Sequence, residues 1–72
     1  MKKIKKIKIK VNGKSQSIPE NYKISDLAKD LKIPLKKVAI ELNQEIVDKK
    51  RINKISLKRN DKMEIVHFIG GG

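Results

Sequence analysis

Few residues of this chain can do chemistry, and the most suggestive lie at its end. After Ile69 the sequence reads Gly70-Gly71-Gly72 and stops. Three glycines strip the backbone of side chains and free it to take φ values that other residues avoid. A tail that threads into a narrow channel of another protein needs both properties. A frayed terminus is the competing explanation, because disorder concentrates at chain ends, and composition alone leaves the two evenly matched. The reactive group such a tail would present is the carboxylate of Gly72. Elsewhere the inventory is thin. His67 is the one histidine, and no carboxylate or nucleophile is placed beside it by sequence, so it reads as a polar structural or interface residue. Glu41 and Glu45 are solvent-side charges on a hairpin and do not form an acid–base pair. The chain has no cysteine, which removes thiol nucleophiles, disulfides and thiolate metal sites. No metal site and no bound cofactor are expected.

Seventy-two residues are enough for one domain. A chain this short buries only about 60% of the surface that it exposes when unfolded. A deep pocket with its own catalytic machinery does not fit that size; binding, carrying and signalling do. The net charge of +11 suggests a nucleic-acid ligand. Against it, lysine outnumbers arginine 17 to 2, whereas base-reading surfaces favour the arginine fork. Only Tyr22 and Phe68 offer aromatic stacking surfaces. A lysine-, isoleucine- and asparagine-rich composition accounts for the charge more simply, and nucleic-acid binding is disfavoured. The basic start, Met1 to Lys6, lacks the apolar run of a signal peptide, and no segment is apolar for the length of a membrane span. The expected location is the cytoplasm, with no membrane partner.

The elements that must position the tail follow from periodicity. Ile7, Ile9 and Val11 alternate with Lys6, Lys8 and Lys10, as in a half-buried strand, with Ile4 out of phase. Asn12-Gly13 signals a hairpin, leading to a second strand at about 15–18 that Pro19 ends. Ser25 is placed to cap a helix with Asp26 in its first turn. Ile24, Leu27, Ala28 and Leu31 form the apolar face, and Pro34 closes the helix. Val38, Ile40 and Leu42 alternate in a third strand. A turn at Asn43-Gln44 leads to a short fourth strand at 45–47. Residues 49–60 read as irregular, anchored by Ile52, Ile55 and Leu57, and 63–69 form the last strand. One helix covers one face of such a sheet, giving an α+β roll. The expected organisation is one domain over 1–69 and a flexible tail over 70–72.

Two segments carry a resemblance. The run 64–72, Glu-Ile-Val-His-Phe-Ile-Gly-Gly-Gly, is similar to the C-terminus of the ThiS family, the sulfur carrier proteins of thiamine biosynthesis. The run 38–47, Val-Ala-Ile-Glu-Leu-Asn-Gln-Glu-Ile-Val, resembles that family's third strand and the turn after it. Gln44 departs from the pattern, since many relatives carry Gly there. The basic balance departs too, relatives being often neutral or acidic. The resemblance implies a ubiquitin-like β-grasp fold: a mixed sheet of four to five strands with one main helix on one face. It also implies a chemistry. A ubiquitin-activating-type adenylyltransferase consumes ATP to adenylate the Gly72 carboxylate. Sulfur from cysteine, delivered through a desulfurase persulfide, displaces AMP and leaves a thiocarboxylate. Thiazole synthase then takes that sulfur into the thiazole ring. On this reading the chain is a protein co-substrate and not an enzyme, and it binds no cofactor itself. A small subunit of molybdopterin synthase and a ubiquitin-like protein modifier share the tail chemistry and stand as alternatives. A basic nucleic-acid-binding module is the alternative of another class.

If the tail is the working end, the residues before it should grip the partner. Met63 and Ile65 are expected to face the helix, with Glu64, Val66 and Phe68 on the open face. Val66 and Phe68, with Ile69, then form a docking patch, since aromatic anchors are enriched in interface cores. In a β-grasp sheet, where the first and last strands are neighbours, Lys6, Lys8 and Lys10 flank that patch. They either steer the carrier to acidic partners or form a solvated edge that discourages aggregation.

Overall fold

The alternation at the start of the chain becomes a strand in which every second side chain is sealed from water. In the computed structural model, which describes residues 5–68, β1 is Lys6–Val11. Ile7, Ile9 and Val11 are buried and Lys6, Lys8 and Lys10 exposed. Ile4, Ile69 and the glycines at 70–72 lie outside the described residues. Asn12 and Gly13 turn the chain with φ of 50° and 81°, the doubly left-handed geometry of the hairpin turn that Asn-Gly favours. β2, Lys14–Pro19, returns antiparallel, with Ile7 opposite Ile18 and Lys8 opposite Ser17. Pro19 is its last residue, where no further ladder bond is needed.

The helix α1, Ile24–Asp30, departs from expectation at both ends. Its cap is Lys23, two residues before Ser25. The N–H groups of Ile24 and Ser25 donate to the carbonyls of Ile55 and Ile52, each at 3.1 Å. The Asp26 carboxylate accepts from the Lys23 N–H at 3.0 Å. Groups that a capping side chain would otherwise satisfy thus find partners in a distant loop, so tertiary contacts move the helix start. At the other end Pro34 is not the terminator. Lys32 takes a left-handed φ of 55°, Ile33 N–H donates to Ala28 O at 2.9 Å, and Lys32 N–H to Lys29 O at 3.2 Å. This is a Schellman ending built on lysine where glycine is usual.

A 3-10 turn at Leu35–Lys37 leads into β3, Val38–Leu42. Asn43 and Gln44 form a second left-handed pair, φ 52° and 73°, before the two-residue β4, Glu45–Ile46. The segment read as irregular contains another 3-10 turn, Lys49–Arg51, capped by Asp48 Oδ1 accepting from Lys50 N at 2.9 Å. Ile52 and Leu57 are buried and Ile55 half-buried, so this stretch is pinned to the core as expected. β5, Lys62–His67, starts one residue earlier than the periodicity suggests, and Phe68 already lies past its end.

The described strands form one mixed sheet in the order β2-β1-β5-β3-β4, with β1 and β5 parallel and the other pairs antiparallel. α1 lies over one face. Ile24, Leu27 and Ala28 on it close a core with Ile7, Ile9, Val11, Ile18, Val38, Ile40, Ile52, Leu57 and Met63, all buried. The last strand is central in the sheet, flanked by β1 and β3 where it begins.

Candidate functional site: the exposed end of the last strand

β5 has two neighbours where it begins and one where it ends. β1 pairs with it only through Lys10–Lys62 and Val11–Met63. One step further the hairpin turn takes over. Asn12 N–H donates to Met63 O at 2.9 Å, and Asn12 Oδ1 accepts from Ile65 N–H at 2.7 Å. The asparagine side chain thus stands in for the next residue of β1. Beyond it β5 continues on β3 alone, from Ile40–Ile65 to Val38–His67. Phe68 N–H then donates to Lys37 O at 2.9 Å, and Phe68 is the last described residue. Alternation along the strand turns the peptide groups of His67 to the side that β1 no longer covers.

Side chains follow the same alternation. Met63 is buried and Ile65 half-buried against the core, while Glu64 and Val66 are exposed on the open face. Val66 is 49% and Phe68 62% exposed. Val66 lies opposite the half-buried Ala39, so this corner of the open face is apolar. Ile46, 78% exposed, adds to that face from β4 through its pairing with Glu41. It is a residue that sequence reasoning did not single out. The two-residue turn at Asn43-Gln44 held the signal, since it fixes Ile46 opposite Glu41.

The remaining open face is divided by charge. Lys6, Lys8 and Lys10 project from β1 opposite Pro19, Ser17 and Ser15, none of them acidic. Lys62 lies beside Lys10 and extends the basic row onto the start of β5. Lys6, Lys8 and Lys10 therefore sit at the end of β5 away from Val66 and Phe68 and, contrary to expectation, do not flank that patch, because the parallel register carries β1 out of step with the strand's exit. Lys8, Lys10 and Lys62, with Ser15 and Asn60, line a shallow open cleft of ≈ 390 Å³. On the other half Glu64 sits directly opposite Glu41. Like charges paired across strands oppose folding, so neither the Lys10–Lys62 pair nor the Glu41–Glu64 pair serves the sheet's stability. His67 is exposed, and no group of histidine, aspartate or glutamate side chains suited to a metal occurs among the described residues. No helix among them is long and apolar enough to cross a membrane.

A mixed five-strand sheet gripping one helix, with its central last strand running out past its neighbour, defines a ubiquitin-like β-grasp protein. A model of the ThiS family matches residues 7–72. The sulfur carrier protein ThiS of Bacillus subtilis is 37% identical over 65 residues, covering 89% of this chain and 98% of that one. The crystal structure of the thiamine biosynthesis protein ThiS from Geobacter metallireducens superposes with a TM-score of 0.82 at 29% identity, covering 92% of this chain and all of that one. A thiazole synthase of Paramagnetospirillum magneticum is 36% identical over 66 residues, which are 92% of this chain and 20% of that protein. A thiazole synthase of Magnetococcus marinus matches over the same shares at 33% identity. The chain therefore spans about a fifth of the length of these two relatives. The chain belongs to the ThiS family.

Proposed function

We propose that this protein is the sulfur carrier for formation of the thiamine thiazole ring, with the Gly72 carboxylate as the group that bears sulfur. Family membership over residues 7–72, a span that takes in the terminal glycines, carries the reading. The chemistry is compatible with a chain that has no cysteine. A carboxylate is a poor electrophile. Attack of its oxygen on the α-phosphorus of ATP expels pyrophosphate and makes AMP the leaving group. A persulfide sulfur then attacks the acyl carbon and AMP departs. A thiol cleaves the resulting acyl disulfide and releases the thiocarboxylate, a soft nucleophile and a transferable form of sulfide. The partners of this reading are a ubiquitin-activating-type adenylyltransferase that consumes the ATP, a cysteine desulfurase as the persulfide source, and thiazole synthase as the acceptor. That two proteins named thiazole synthase contain a segment like this chain supports the last of these. The chain contributes a reacting group and no catalytic centre.

In this reading Gly70 and Gly71 thread the tail into the partner's channel. Val66, Phe68 and Ile69 form the apolar grip, and Lys6, Lys8 and Lys10 steer the carrier toward acidic rims of the enzymes that act on it. Capture experiments separate the pathway from its sibling. Co-purification with thiazole synthase is expected; co-purification with a large molybdopterin synthase subunit instead overturns the thiamine assignment.

A further inference from the structure

Among the described residues every lysine but one is exposed; Lys49 is half-buried. Its Nζ donates to the Leu35 carbonyl at 2.5 Å and lies 5.1 Å from the centroid of the Phe68 ring. The 3-10 turn that supplies Leu35 also supplies the Lys37 carbonyl to the Phe68 N–H. One short turn therefore holds the backbone of Phe68 directly and its ring through Lys49. The base of Lys49 is fixed in its own 3-10 turn, the one capped by Asp48. An ammonium that has spent one donor on a carbonyl and part of its hydration on burial is well placed to attract the face of an aromatic ring. The ring is nevertheless 62% exposed, so it is held without being hidden.

We propose that Lys49 is a positioning residue that fixes the Phe68 ring in the orientation in which the adenylating and sulfur-accepting partners bind it. The proposal rests on the carrier reading above and adds a residue to it. An aromatic anchor left free must lose its rotamer freedom on docking, and one already held does not. Lys49 thus acts on recognition and leaves the reaction at the tail alone.

The test uses the full chain with its adenylating enzyme. Lys49→Met removes the charge and keeps the aliphatic stem. KM for the carrier is expected to rise about two- to fivefold with kcat unchanged, and Lys49→Arg is expected to restore it. An unchanged KM in Lys49→Met, or a loss that Lys49→Arg does not rescue, overturns the proposal. A second measurement is independent of any enzyme. The ring current of Phe68 should shift the Lys49 side-chain methylene protons upfield in NMR spectra, and Phe68→Leu should abolish the shift. Failure of the wild-type chain to be adenylated strikes the carrier reading, whereas absence of that ring-current shift strikes the role of Lys49.

Discussion

On the proposed carrier reading, Phe68 and Val66 are the single residues expected to contribute most to recognition. Both are apolar, exposed and next to the tail. Replacing Phe68 by alanine should raise KM for the adenylating enzyme about tenfold or more, as for a buried interface anchor, while the fold is kept. Gln44 shows how a residue type can oppose its own geometry. It holds φ at 73° and is exposed, so it bears the cost of a left-handed side chain. Gln44→Gly should stabilise the fold by about 0.5–1 kcal/mol, seen as a higher urea midpoint at unchanged slope. An unchanged or lower midpoint would show that the turn carries no strain. Tyr22 offers a check on the helix. Its hydroxyl donates to Asp30, and that bond first, then desolvation and the Asp30 and Asp26 charges, pushes its pKa up to about 12. Because the folded value lies above the ordinary 10.0, the stability this tyrosine lends is complete below pH 10.0 and is lost as pH rises through about 12. Phenolate absorbance should therefore titrate late, and Asp30→Asn should bring the midpoint back toward the ordinary value. These features differ in how far the sequence announced them. Val66 and Phe68 stood out by period and position, whereas Lys49 did not, because its contacts join residues far apart in the chain.

At the scale of elements, the hairpin and the last strand are joined by one side chain. Asn12 both makes the left-handed turn and clamps Ile65 where β1 runs out. Asn12→Gly keeps the turn and deletes the clamp. It should cost about 1 kcal/mol and speed hydrogen exchange at the Ile65 amide more than at Met63; equal protection at Ile65 would show that the clamp is dispensable. Strands were the most legible elements, since alternation over Ile7, Ile9 and Val11 and over Val38, Ile40 and Leu42 marks a half-buried sheet whatever its partners. The helix ends were least legible. Ser25 is an ordinary cap by type, but the Ile52 and Ile55 carbonyls bond the first helical N–H groups and move the start to Lys23. Lys32 ends the helix in a conformation that its residue type does not advertise.

For the whole molecule, part of the net charge of +11 is gathered on one face of the sheet. Lys6, Lys8, Lys10 and Lys62 share one half of the open face, and Glu41 and Glu64 meet on the other. Composition could count these charges, but only the parallel β1–β5 register sets Lys62 beside Lys10. Replacing Lys6, Lys8 and Lys10 by glutamine should slow association with the adenylating enzyme and flatten its dependence on ionic strength, leaving dissociation little changed. An unaltered salt dependence would leave the row to solvation alone, since β1 lies between β2 and β5 and forms no edge of the sheet. The same domain should hold its fold when Gly72 is deleted, while sulfur transfer ceases.

The measurement that bears most directly on the carrier reading is the mass of the tail. The protein is incubated with its adenylating enzyme, ATP and a sulfur source, and the C-terminal peptide is isolated, because oxidation of Met1 or Met63 mimics the mass change in the intact chain. Exchange of one oxygen for sulfur at Gly72 is the predicted result. A tail peptide left unmodified by an enzyme shown to be competent on another carrier would contradict it.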